Sequence, residues 1–375
     1  MAGIYIHIPF CKQACHYCDF HFSTNQKYVN EMTDALCTEL KLQKDYLENE
    51  MIGSIYFGGG TPSLLNKKQL VQLLASVKMF YNVSEESEIT LEANPDDLNS
   101  EKLDMLFNAG VNRLSIGIQS FNQETLKFLN RAHTSNQAVE CIAAARKAGF
   151  SNISIDLIYA ILYGDHQLWK ADLAMALEIA PEHISSYCLT IEPKTVFGNW
   201  LKKGSIPAVE EEYAAQQFEI LIETLTNAGY EQYEVSNFSK PGYHSRHNSS
   251  YWKQEKYLGV GPSAHSYNGD VRQFNVNNNG KYLKALSQEE VPFEVDELGT
   301  AEKINEYLLT TLRTKWGANL EKLISEWNYD LNSIQRNYLN QLFEKKYAII
   351  EDGHLKLTSS GLLLADRISS DLFKD

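Results

Sequence analysis

Three cysteines, Cys11, Cys15 and Cys18, fall within eight residues near the start of a 375-residue chain. They follow Ile4-Tyr5-Ile6-His7-Ile8, a run of high β-propensity, so the spacing predicts a loop at the C-terminal end of a first strand. Three thiolates cannot close a tetrahedral structural zinc site, and Cys37, Cys141 and Cys188 lack the spacing of companion ligands. Three thiolates can hold three corners of a cubane iron–sulfur cluster and leave the fourth iron open for chemistry. The plainer reading is a reduced protein with buried cysteines, but three thiols on one loop weigh against it.

Other polar residues recur at the ends of later apolar runs. Gly58-Gly59-Gly60-Thr61 follows a second run; bare glycines let a ligand lie against backbone amides, although an isolated triple glycine is as readily a tight turn. On the first reading, a Cβ at Gly60 fills ligand space and spares the cysteines. Glu92 lies near the end of a third run, Gln119 just after a fourth, Arg131 on the segment beyond it, and Asp156 in a fifth. Singly these are a solvated carboxylate, a helix cap, a surface charge and a rim residue. Together they could hydrogen-bond one polar ligand.

The pattern C-x3-C-x2-C resembles that of the radical S-adenosylmethionine (SAM) superfamily, in which SAM chelates the open iron of a [4Fe-4S] cluster. From residue 3 to about 270, and more weakly to the C-terminus, the chain is similar to oxygen-independent coproporphyrinogen III oxidases and their relatives. That resemblance implies SAM contacts at Tyr5, Tyr17, Gly59, Gly60, Thr61, Glu92, Gln119, Arg131, Asp156 and Thr190. Two departures point to one branch. Phe20 stands where the oxidase pattern has a further cysteine, and His247-Asn248-Ser249-Ser250-Tyr251-Trp252 matches the H-N-x-x-Y-W of the HemW-type haem chaperones. The branch implies haem as a further cofactor, with His247 on the iron and Tyr251 and Trp252 covering the macrocycle. It also implies acceptor haemoproteins as partners, a haem-storage or membrane respiratory protein among them. Decarboxylation of porphyrinogen propionates is the alternative, so whether the chain is an enzyme stays open. Ala160-Ile161-Leu162 replaces the family's usual Gly-x-Pro, which leaves the reach of Asp156 open.

The elements that must position these residues alternate between β-rich and amphipathic helical stretches. Strands are expected at 4–8, 54–57, 88–93, 113–117, 152–157 and 184–189, with amphipathic helical stretches between them such as 27–49, 67–80, 136–147 and 167–179. Six βα units make a partial (β/α)6 barrel, or else a doubly wound open sheet, and both collect ligands at the C-terminal strand ends. A helix at 208–228, a strand at 230–235 and an Asn-rich turn at 275–280 continue an α+β extension. Residues 300–375 read as three helices and a two-stranded wing, a small winged-helix-like module. The expected division is 1–233, 234–299 and 300–375.

A net charge of −14 argues against a nucleic-acid backbone as partner, and the module itself carries ten Lys and Arg against eleven Asp and Glu. The start lacks a basic n-region with a long apolar core, and no apolar run approaches eighteen residues. Six thiols and an oxygen-labile cluster suit the cytoplasm. A homodimer is compatible with the sequence.

Overall fold

In the computed structural model, which describes residues 1–161 and 165–374, six strands lie side by side in chain order. They are β1 (Ala2–Ile8), β2 (Ile52–Gly59), β3 (Val83–Ala93), β4 (Arg113–Gln119), β5 (Ile153–Tyr159) and β6 (His183–Cys188). Each pairs in parallel with the next, because the helices Val29–Leu42, Lys67–Phe80, Ser100–Ala109, Ser135–Lys147 and Gln167–Ile179 carry the chain back between strands. Side-chain alternation explains what the sheet does. Ile4 and Ile6, Ile55 and Phe57, Ile89 and Leu91, Leu114 and Ile116, and Ile153 and Ile155 all enter the core under the helices. Residues of the other parity are polar: Tyr5 and His7, Ser54 and Tyr56, Thr90 and Glu92, Arg113 and Ser115, Ser154 and Asp156. Strands buried on both faces are usually apolar throughout, so the polar face marks a lined site.

Six further strands complete a twelve-stranded sheet. β7 (Glu231–Glu234) and β8 (Asn237–Ser239) add antiparallel beyond β6. β9 (Tyr257–Val260) pairs in parallel with β1, so the barrel has a seventh parallel strand that was not among the expected ones. β10 (His265–Tyr267), β11 (Val271–Asn275) and β12 (Phe293–Glu297) extend that side antiparallel. The helix expected over 27–49 stops at Leu42, followed by a turn in which Glu48 and Asn49 adopt φ of 51° and 62°. Within the Asn-rich stretch Asn278 caps the helix Asn279–Leu286 by accepting from the Lys281 amide.

The C-terminal residues form a small winged-helix-like module. Helices Thr300–Leu312, Leu320–Trp327 and Arg336–Glu344 precede the wing strands Ala348–Glu351 and His354–Leu357. A short strand, Ala318–Asn319, adds a third member to the wing, and a terminal helix, Ala365–Asp371, completes the module. The module has its own apolar core around Leu308, Leu312, Leu323 and Leu355. Arg313 joins it to the barrel, donating 2.7 Å to buried Glu234 and accepting from the Val235 amide at 3.0 Å. Among the described residues no helix is long and apolar enough to cross a membrane.

Candidate cofactor site

A cavity of about 570 Å³ opens at the C-terminal ends of the barrel strands, and Cys11, Cys15 and Cys18 all face it. The cysteine loop is tied down on two sides. Gln13 donates to the Asn130 carbonyl at 2.8 Å, Asn130 donates to the Ala14 carbonyl at 2.7 Å, and Lys12 pairs with Asp96 at 2.9 Å and with buried Asp97. Two side chains donate to sulfur: Thr61 Oγ1 to Cys11 and Arg131 Nη1 to Cys15, each at 3.3 Å. Burial works against the charge of Arg131, but Tyr17 and Cys15 beside it raise its pKa on balance. Its other nitrogen donates to Asn94 at 2.6 Å and to the Gly117 carbonyl at 2.7 Å, which fixes the guanidinium across the wall.

The glycine turn belongs to the same wall. The Gly60 amide donates to the Ile8 carbonyl at 2.9 Å and the Thr61 amide to the Phe10 carbonyl at 2.7 Å, binding the turn to the strand end that leads into Cys11. Gly59 has φ of +105°, a region that favours glycine, and its amide donates 3.1 Å to Glu92. Cβ atoms here would meet protein rather than ligand: at Gly60 the Phe10 carbonyl at 2.6 Å, at Gly59 the His7 ring at 2.5 Å. This corrects the expectation that a Gly60 side chain would fill ligand space. Gln119 reaches the cavity from a bulge in β4, at φ of 67°. Ala160 takes φ of 60°, the left-handed conformation a glycine there would hold, and donates to Gln217 at 2.7 Å. Leu162 lies outside the described residues, while Asp156 faces the cavity.

Two buried carboxyl groups dominate the electrostatics. Burial pushes Glu92 up to about 7, despite the Tyr56 hydroxyl donating to it at 2.8 Å. Burial likewise pushes Asp156 up to about 6, with Arg113 and the Ser185 and Ser115 hydroxyls holding it down. Ionised carboxylates favour a cationic ligand, so affinity for a sulfonium compound is expected to rise as pH climbs through 6 to 7. Stability of the ligand-free protein should move the opposite way. Both folded pKa values lie above the ordinary 4.5 and 3.8, so the stabilising contribution is full below those values and is lost as pH rises to about 7. The slope is up to about 1.4 kcal/mol per pH unit for each group. Equilibrium dialysis with SAM and thermal melts from pH 5 to 8 check both trends, and a flat SAM affinity would contradict the assignment.

Comparison with known proteins places this geometry. Residues 5–172 match the model of the radical SAM superfamily. The chain is 35% identical to the haem chaperone HemW of Bacillus subtilis, covering 98% of both chains. The chain belongs to the HemW haem-chaperone family. It is also 34% identical to the HemW of Lactococcus lactis, covering 99% of this chain and 97% of that one. Coproporphyrinogen III oxidase (HemN) from Escherichia coli, a radical SAM enzyme, shares the fold, with a TM-score of 0.85 at 22% identity over 100% of this chain and 90% of that one.

The superfamily implies a [4Fe-4S] cluster and SAM, and the donor set fits the cluster. Among the described residues no three His, Cys, Asp or Glu converge to hold a single metal ion. A cubane spreads its thiolates over separate irons, so three thiols around one cavity suit it better than a mononuclear metal. Burial raises the pKa of Cys11 and pushes Cys18 up to about 11, so these thiols need the positive charge of iron to ionise. When bound, such a cluster supplies an open iron and a one-electron source. Cys11, Cys15 and Cys18 would hold it, and Thr61 and Arg131, which donate to two of those sulfurs, would steady its ligands.

Of the residues singled out in the sequence, Tyr17, Gly59, Gly60, Thr61, Glu92, Gln119, Arg131, Asp156 and Thr190 line the cavity. Tyr5, His247, Tyr251 and Trp252 do not. Tyr5 stands behind the wall, its ring 6.1 Å from that of Tyr56 and its hydroxyl 3.1 Å from His7. His247 is 1% exposed, with one ring nitrogen 2.9 Å from the Ser54 hydroxyl and the other 2.7 Å from that of Tyr251. Trp252 lies under the Arg313 guanidinium, 4.6 Å away. Tyr56, Ser185, Tyr187, Cys188 and Asn248 face the cavity without having been singled out. The first three share the polar parity of their strands with residues that were. Nothing in the sequence marks Asn248 over His247.

Proposed function

We propose that this chain carries a [4Fe-4S] cluster on Cys11, Cys15 and Cys18, binds SAM in the adjoining cavity, and acts as a haem chaperone that hands haem to acceptor haemoproteins. The observation that carries this reading is the likeness to HemW proteins over almost the whole of both chains, the C-terminal module included. SAM contacts are proposed at Tyr17, Gly59, Gly60, Thr61, Glu92, Gln119, Arg131, Asp156 and Thr190, which share one cavity. Tyr5 supports that cavity from behind. Haem is proposed to dock at the mouth, where Phe20 is 74% and Tyr187 44% exposed and Phe22 adds a third ring. A planar apolar macrocycle suits such a rim. We divide the chain into a barrel to residue 233, a bridge to 299 and a docking module beyond; the module's separate core supports the last boundary. Its acceptor is a haemoprotein of the storage or membrane respiratory kind, the working compartment is the cytoplasm, and a homodimer is compatible with this scheme.

Haem titration of the reconstituted protein under anaerobic conditions should give a saturable, shifted Soret band, and Phe20→Asp should weaken it about tenfold by placing a charge under the macrocycle. Incubation with SAM, reductant and coproporphyrinogen should release no carbon dioxide. Turnover of coproporphyrinogen without saturable haem binding would replace the chaperone by an oxidase, whose fold the chain shares.

A further inference from the structure

The H-N-x-x-Y-W segment forms the helix Arg246–Trp252, capped by Ser245 and seated on the Glu88 carboxylate, which accepts from the Arg246 and His247 amides at 3.1 and 3.2 Å. The helix packs against the starts of β1 and β2. A Cβ at Gly3 would come within 3.1 Å of the His247 ring, so the glycine makes the seat. His247 is one corner of a triangle of rings there, since Tyr5 and Tyr56 are themselves 6.1 Å apart. Its ring lies at 23° to that of Tyr56, 5.0 Å away, and at 23° to that of Tyr5, 6.3 Å away, with Ser54 and Tyr251 on its two nitrogens. Tyr56 points its hydroxyl at Glu92, whose second oxygen holds the Gly59 amide. The next residue, Asn248, faces the cavity itself. At the far end Trp252 is covered by Arg313. His247 therefore offers no open ring face to a macrocycle and no free nitrogen to an iron.

We infer that this helix serves the SAM cavity: Asn248 contacts the bound ligand, and His247 is a positioning residue that holds Tyr56, and through Tyr56 the Glu92 carboxylate, in place. The inference rests on the proposal that the cavity binds SAM. It assigns the motif a task other than haem ligation. The groups that act on Glu92 from the surrounding elements are Tyr56, Asp156, Arg113 and the Gly59 amide, with Tyr5, Tyr251 and Cys11 also within its field. Of the groups that His247 contacts, Tyr56 is the one that donates a hydrogen bond to the Glu92 carboxylate.

The test uses full-length, iron-reconstituted protein, with SAM affinity measured by equilibrium dialysis from pH 5.5 to 8.5 alongside iron content and the haem Soret band. Asn248→Ala is expected to weaken SAM about fivefold, and His247→Ala about tenfold, at unchanged iron content. His247→Ala should also move the pH midpoint of SAM binding upward, because Glu92 loses the Tyr56 hydroxyl that favours its ionised form. Tyr56→Phe should produce the same upward movement, and the double variant no more than either alone. His247→Phe keeps a ring against Tyr56 and should recover most of the affinity, a rescue that a general loss of folding would not give. Wild-type affinity and an unmoved midpoint in both His247 variants would overturn the inference while leaving the SAM site standing. A Soret band that shifts in His247→Ala and in His247→Phe, with SAM affinity unchanged, would overturn it in favour of haem ligation. Wild-type protein that holds its iron but binds no SAM would sink the cavity reading and the inference together.

Discussion

Anaerobic reconstitution of the triple variant Cys11→Ala, Cys15→Ala, Cys18→Ala is expected to leave no charge-transfer absorption and only substoichiometric iron. All three thiols face one cavity, and each lies on a loop pinned by Lys12, Gln13 and Asn130 to neighbouring strand ends. Of the remaining thiols, Cys141 is 4% exposed in the helical core and Cys37 packs at its edge, so neither reaches the cavity. Cys188 does reach it, which makes it the informative control. A triple variant that still binds four irons would overturn the assignment, because Cys188 alone supplies one thiolate where the cubane takes three; adding Cys188→Ala shows whether that thiol takes any part. Cys37→Ala should keep full iron content, and Cys141→Ala should lower stability by about 1 kcal/mol without touching the cluster.

Gly60→Val is expected to abolish SAM binding and to lower iron content with it. The added Cβ would stand 2.6 Å from the Phe10 carbonyl and 2.9 Å from that of Ile8, both backbone atoms of the segment entering Cys11. Those same carbonyls accept the amides of Gly60 and Thr61. Backbone yields less than a flexible side chain, so the turn and the cysteine loop must separate and displace both the glycine amides and the first thiol. Such overpacking costs roughly 2–3 kcal/mol, which should appear in a thermal melt. Thr61→Val is the milder comparison, removing the 3.3 Å donation to Cys11 and the 3.3 Å bond that Thr61 accepts from Asn94. Full iron content together with wild-type SAM affinity in Gly60→Val would show that the turn and the cysteine loop are not joined as described.

Much of this site was legible from residue types. Cys11, Cys15 and Cys18 declare themselves by spacing, because three thiols at loop distance have few uses. Glu92, Gln119 and Asp156 could be gathered because parallel strands deliver their C-terminal ends to one rim, so order along the chain becomes neighbourhood in space. Tyr56 and Ser185 were within reach by the same rule, since they share the inward parity of Glu92 and Asp156, but a lone phenol and a small hydroxyl carry no strong chemical signal of their own. The short strand at Tyr257–Val260 was missed because it holds Gly259 and runs straight into Gly261, and only pairing with β1 makes it a strand.

The sequence by itself determined the six βα units, the thiol loop and the polar face that lines the barrel, because periodicity and spacing are local properties that survive without a partner. The tertiary structure alone decided which way each ambiguous side chain turns. The sequence held no means of choosing between His247 and Asn248 as the residue that faces the ligand. That choice depends on how a seven-residue helix sits on Glu88 and against Gly3, contacts about 160 and 240 residues away along the chain. The same holds for Gly60, whose missing Cβ makes room for the Phe10 carbonyl rather than for a ligand. Composition records that a glycine is needed there; only the packing of one segment on another records what it makes room for.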